Sequence, residues 1–92
     1  MSDPTKQHIA VVANRLAFAR DWLLTDFLQN LRKEEVTYVK MNSQIHTRNN
    51  TYYIIFRPDQ AYGMYFDDII IAPDYIPSDL EFIVRARVRR KK

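Results

Sequence analysis

The chain contains no cysteine, which excludes disulfide bridges and thiolate metal sites and suits a reducing compartment. It has a single glycine, Gly63, and one glycine cannot build a phosphate-cradling loop. Histidine is scarce as well: His8 and His46 fall in different segments, and neither sits beside a candidate nucleophile. The only serines are Ser2, Ser43 and Ser78, and none stands in a nucleophile-elbow motif. No run approaches the ~18 apolar residues that a transmembrane helix requires. Met1-Ser2-Asp3-Pro4-Thr5-Lys6 shows no basic region leading into an apolar core, so no secretory signal is expected and the expected location is cytoplasmic.

What is present describes one small globular domain. The 92 residues are 47% hydrophobic and 13% aromatic, too apolar for a disordered chain. A chain of this length buries a modest share of its surface, so its stability margin is small.

Charge is distributed unevenly. The net charge is +3, yet Arg85-Ala86-Arg87-Val88-Arg89-Arg90-Lys91-Lys92 carries six positive charges and no negative one. The remainder has eight basic and eleven acidic residues, so a mildly acidic body (1–84) carries a basic tail (85–92).

Along the chain, Asp3-Pro4 reads as a helix start. Ile9, Val12, Ala13, Leu16, Leu23, Leu24, Phe27, Leu28 and Leu31 then recur at helical spacing. This predicts a long N-terminal helix from about Pro4 to Lys33, with a possible break at Arg20-Asp21. At 100° per residue, Val11, Phe18 and Trp22 fall opposite that stripe. They form a candidate partner or self-association surface.

Val36-Thr37-Tyr38-Val39-Lys40 has strand composition. Gln44–Arg48 and Thr51–Arg57 flank Asn49-Asn50 and predict a hairpin. In that register Ile45 faces Ile54 and His46 faces Tyr53. Tyr65–Asp74, with Ile69-Ile70-Ile71 at its centre, predicts a buried central strand stopped by Pro73. Ser78-Asp79-Leu80-Glu81 fits a capping box and favours a helix, whereas Val84–Arg89 alternates like a strand. The predicted fold is therefore α+β: a long N-terminal helix on a sheet of three to five strands, with a C-terminal helix or strand.

Asp67, Asp68 and Asp74 bracket the apolar strand and are candidates for a metal or acid–base cluster. Solvated strand ends explain them more simply, because no histidine or glutamate spacing accompanies them. Six tyrosines gather in the sheet half, near Arg48 and Arg57, where rings and cations together suit stacked bases.

Asp68-Ile69-Ile70-Ile71-Ala72-Pro73-Asp74-Tyr75-Ile76-Pro77 follows a polar hairpin and a Tyr-Gly loop. This order resembles the Walker-B portion of phage large-terminase and related helicase-like ATPase domains. Ala72-Pro73 replaces the family's Asp-Glu pair, and the Walker-A loop is missing. The resemblance implies a nucleotide-free relic or mimic, with no cofactor and no catalytic residue carried over.

The leading expectation is a small non-enzymatic protein that binds nucleic acid through Arg85, Arg87, Arg89, Arg90, Lys91 and Lys92, helped by Arg48 and Arg57. The alternatives are a protein-interaction module (a phage-type inhibitor or homo-oligomer) using Val11, Phe18 and Trp22, and a metal-dependent enzyme using Asp67, Asp68 and Asp74.

Overall fold

The fold is built around strand β1 (Gln7–Val12), in which Ile9, Ala10, Val11 and Val12 are all buried. It is seen in a computed structural model that describes residues 6–41 and 43–89. The expected long N-terminal helix is overturned, because strands dominate and β1 comes before the helix. Helix α1 (Leu16–Trp22) continues into a π-helical segment (Leu23–Leu31). Trp22 and Leu23 both keep right-handed helical dihedrals, so the change of winding does not break the rod, and Asp21 caps nothing there. The proposed start at Asp3-Pro4 lies outside the described residues.

The physical reason for the misreading is the run Ile9–Ala13. A continuous apolar stretch matches a three-and-four spacing by default. Its β-branched, two-sided burial is that of a strand in the middle of a parallel sheet.

The remaining elements are β2 (Val36–Lys40), β3 (Gln44–Thr47), β4 (Asn50–Ile55), a 3₁₀ turn (Pro58–Ala61), β5 (Asp68–Ile71) and helix α2 (Asp79–Arg85). The five strands form one mixed sheet in the order β2-β3-β4-β1-β5. β2, β3 and β4 are antiparallel neighbours, and β1 is parallel to both β4 and β5. The expected central strand is therefore an edge strand. Asp68 and Ile71 are exposed, and only Ile69 and Ile70 pack inward, one on each side.

Each face of the sheet has its own core. On one, Ile9, Val11, Ile45, Tyr52 and Ile54 pack against Ala19, Leu23, Phe27 and Leu28 of the long helix. On the other, Ala10, Val12 and Ile55 meet Ala61, Phe66, Leu80 and Val84. Full burial of one such aliphatic side chain contributes about 1.5–3 kcal/mol. The arrangement is three-layered, with the long helix on one side and α2 plus the 3₁₀ turn on the other. The radius of gyration is 12.6 Å, near the ~12 Å expected of one compact domain. Among the described residues, no helix is long and apolar enough to cross a membrane.

The β3–β4 hairpin forms, with a different register. Ile45 pairs with Tyr52, His46 with Thr51 and Gln44 with Tyr53. The slip from the expected pairing is even, so every side chain keeps its expected face. Thr47 Oγ1 sets the turn by accepting from the Asn50 amide at 3.1 Å. After β4, Gln60 Oε1 accepts from the amides of Phe56 and Arg57, both at 2.8 Å, and fixes the 3₁₀ turn.

The C-terminal segment is a helix, begun by Ser78, whose Oγ accepts from Leu80 N at 3.3 Å. Neither bond of a capping box is made between Ser78 and Glu81. The amides of Ser78 and Glu81 both donate to the Tyr75 hydroxyl, at 3.1 and 3.0 Å, and the Glu81 carboxylate turns to Arg85.

Candidate nucleic-acid interface

The basic terminus does not leave the fold where α2 ends. Phe66 N donates to Arg87 O, and Arg89 N donates to Phe66 O, both at 2.8 Å. These bonds hold Val88 beside Phe66 as a parallel bridge at the margin of the sheet. Phe66 is buried, and Val88 packs against the same core. Alternation then turns Arg87 and Arg89 the other way, toward Tyr65. Their guanidinium carbons lie 5.7 and 5.8 Å from the Tyr65 ring centroid, within cation–π range. The ring is itself 56% exposed.

Other members of the predicted basic set are placed differently. Arg85 is neutralised by Glu81, with Nη2 and Nε at 2.8 and 3.0 Å from Oε2. Arg57 stands over the Phe56 ring and 3.7 Å from Asp59. Arg48 is exposed in the β3–β4 turn and lines a polar cavity of about 320 Å³ with Lys33, Glu34 and Asn49. Arg48 and Arg57 therefore flank opposite ends of β4, and neither joins the Tyr65 cluster. Arg90, Lys91 and Lys92 lie outside the described residues. Tyr65 was missed as a site residue because nothing in the sequence pairs residue 65 with residues 87 and 89. Only the bridge at Phe66 does so.

Comparison with protein-family models, curated proteins and solved structures finds no match. Any functional reading therefore rests on the geometry.

The candidate partner surface on Val11, Phe18 and Trp22 does not exist as one surface. Val11 is fully buried in β1 and cannot meet a partner. Trp22 is half-buried, with its ring 5.1 Å from that of Phe27 against the first core. Phe18 alone is well exposed, at 47%.

The three aspartates are likewise apart. Asp67 Oδ2 accepts from His8 N at 2.9 Å, and Asp68 Oδ1 from Ile69 N at 2.8 Å. Asp74 lies past the other end of β5, where Oδ2 accepts from Arg15 N at 3.0 Å. Four strand residues separate the two ends by roughly 13 Å. Among the described residues, no group of three His, Cys, Asp or Glu side chains is placed to hold a metal ion.

The C-terminal ends of β1 and β4 border a cavity of about 480 Å³ lined by Asn14, Phe56, Tyr75, Leu80 and Ile83 among others. The chain leaves β1 toward one face and β4 toward the other, which makes this the sheet's switch point, a common place for ligands. Its polar equipment is largely spent on the fold. Tyr75 OH takes the amides of Ser78 and Glu81, and the Asp74 carboxylate occupies the amide ahead of α1, where an anion would otherwise sit.

A second polar cluster fastens the hairpin to the long helix. The Glu34 carboxylate accepts from Thr47 Oγ1 at 2.6 Å, Tyr52 OH at 2.9 Å and Asn50 Nδ2 at 3.0 Å. Burial and the Glu34 carboxylate push the Tyr52 hydroxyl well above the ordinary tyrosine range, and burial also raises Tyr53. Burial lowers His46, and the cationic groups Lys6, Lys40 and His8 lower it further.

Proposed function

We propose that the protein binds nucleic acid in the cytoplasm through its basic C-terminus. The observation that carries this reading is the placement of Arg87 and Arg89 on one exposed ring, Tyr65, at the root of Arg90-Lys91-Lys92. Backbone bonds fix Arg87 and Arg89, and the Tyr65 ring already holds both guanidinium groups, so less freedom is lost on meeting phosphates. The exposed Tyr65 ring beneath both guanidinium groups keeps the two charges together at the surface. The acidic balance of the body (1–84) favours approach tail first. Such contacts give strong salt dependence and little sequence preference.

The test is fluorescence anisotropy with labelled oligonucleotides across a salt series. Arg87→Ala with Arg89→Ala is expected to weaken binding and to flatten the plot of log affinity against log salt by about 1.4–1.8, at ~0.7–0.9 per lost phosphate contact. Binding that ignores salt, or that the double variant leaves unchanged, contradicts the proposal.

A further inference from the structure

One stretch of sheet is left open on the side opposite the long helix. The second core takes side chains from β1, β4, β5 and α2, and none from β2 or β3. On that open half the strand registers bring Tyr38, His46, Thr51 and His8 into a single row across β2, β3, β4 and β1. At ~4.8 Å between strands, the row is roughly 14 Å long.

Its rings are ordered rather than loose. Tyr38 lies against His46 with centroids 5.5 Å apart, and it remains 57% exposed. His8 lies against Tyr53 at 5.6 Å, and its Nδ1 is 2.7 Å from the Tyr53 hydroxyl. Lys6 Nζ stands 3.4 Å from His46 Nδ1, and Lys40 lies exposed one row away, in the Gln44–Tyr53 row. The charges that bear on His46 all come from cationic groups. Pre-positioned rings edged by lysines match the chemistry of unpaired bases on a phosphate backbone. A duplex hides its base faces and gains only the lysines.

We propose that this row is a binding surface for single-stranded nucleic acid, with a base stacked on Tyr38, a second on His8, Lys6 on the phosphate between them and Lys40 on the phosphate beyond Tyr38. The inference rests on the nucleic-acid reading above and adds strand selectivity, which the Arg87–Tyr65–Arg89 cluster does not supply. The two surfaces are tested apart through Tyr38, which lies at the β2 end of the row, and through Arg87 with Arg89, which lie beside Phe66.

The experiment compares oligo-dT, oligo-rU and a blunt hairpin duplex, each labelled, at one low salt concentration. Wild type should prefer the single strands. Tyr38→Ala should weaken their binding about tenfold, the loss of one stacked base, and leave the duplex unchanged, while Tyr38→Phe keeps wild-type affinity. Preference for either single strand supports the proposal, and the ratio of the two identifies the sugar. Tyr38 is exposed, so circular dichroism should show the variants folded. Equal loss on single strand and duplex, or no loss, overturns the row as the site. If Arg87→Ala with Arg89→Ala abolishes duplex binding while Tyr38→Ala changes nothing, the basic-terminus reading survives and this one falls. A wild type that binds none of the three probes removes both.

Discussion

At the scale of single residues, His46 shows how the sheet's open side constrains protonation. Lys6 can only donate, so His46 Nδ1 accepts, and the neutral ring must carry its proton on Nε2. That Nε2 is buried and has no partner among the described residues. Adding a proton to Nδ1 sets an N–H against the Lys6 ammonium. The depressed pKa of His46 follows from burial first and the neighbouring cations second. The sign is then fixed. Between the folded value and 6.5 the unfolded chain binds more protons, so stability is complete above pH 6.5 and falls as pH drops below it. The urea midpoint is expected to decrease between pH 7.5 and 5.5, and His46→Gln should flatten that decrease. A variant as pH-sensitive as wild type would place the titrating group elsewhere. Tyr52 acts at the alkaline end with the opposite sign: its raised pKa makes the unfolded chain ionise first, so stability declines above pH 10.

At the scale of elements, the decisive one is β1. A strand reading and a helix reading of residues 7–13 make different demands on Val11. In β1 it is fully buried, whereas on a helix it would face outward. Val11→Ala is expected to cost roughly 2 kcal/mol by urea denaturation, from lost burial and the cavity left behind. Phe18→Ala should cost well under half of that. The reverse order would restore the helix. Local chemistry did mark several elements in the sequence: β2 from its composition, a hairpin near Asn49-Asn50 (its loop is Arg48-Asn49, and Asn50 already belongs to β4), the end of β4 from Pro58, and the start of α2 from Ser78. What stayed hidden depends on contacts between distant segments. A buried parallel strand has no period of its own, so β1 merged with the helix that follows it. Edge and interior strands differ only in how many partners they have, so Ile69-Ile70-Ile71 reads as central although β5 lies at the edge and β1, beside it, is paired on both sides. The candidate site was half legible. The basic run declared itself through charge, but Tyr65 and the Tyr38–His8 row exist only once strand order and register are known.

At the scale of the whole molecule, the basic terminus is part of the architecture as well as a charged appendage. Val88 lies on the second core, and two backbone bonds tie Arg87 and Arg89 to Phe66. Removing residues 86–92 should therefore lower stability as well as binding. The lost contacts are worth about 1–2 kcal/mol, and for a domain of this size the melting temperature should fall by roughly 5–10 °C. Arg87→Ala with Arg89→Ala should leave melting nearly unchanged, because those side chains face solvent. Calorimetry on the two proteins separates the structural from the electrostatic part of the terminus. An unchanged melting temperature in the truncated chain would mean that the bridge contributes nothing.

The position of β1 also sets a schedule for folding. During synthesis β1 leaves the ribosome before everything it pairs with, since its neighbours β4 and β5 register through Asn50–Ile55 and Asp68–Ile71. Until Ile71 has emerged, β1, with its buried apolar run Ile9–Val12, has at most one side paired. The hairpin and the long helix can form locally and early, while closure of the sheet around β1 waits for distant segments and sets the slow step. A nascent chain stalled before β5 would expose β1 as an unpaired apolar edge, the form of this protein most prone to aggregate.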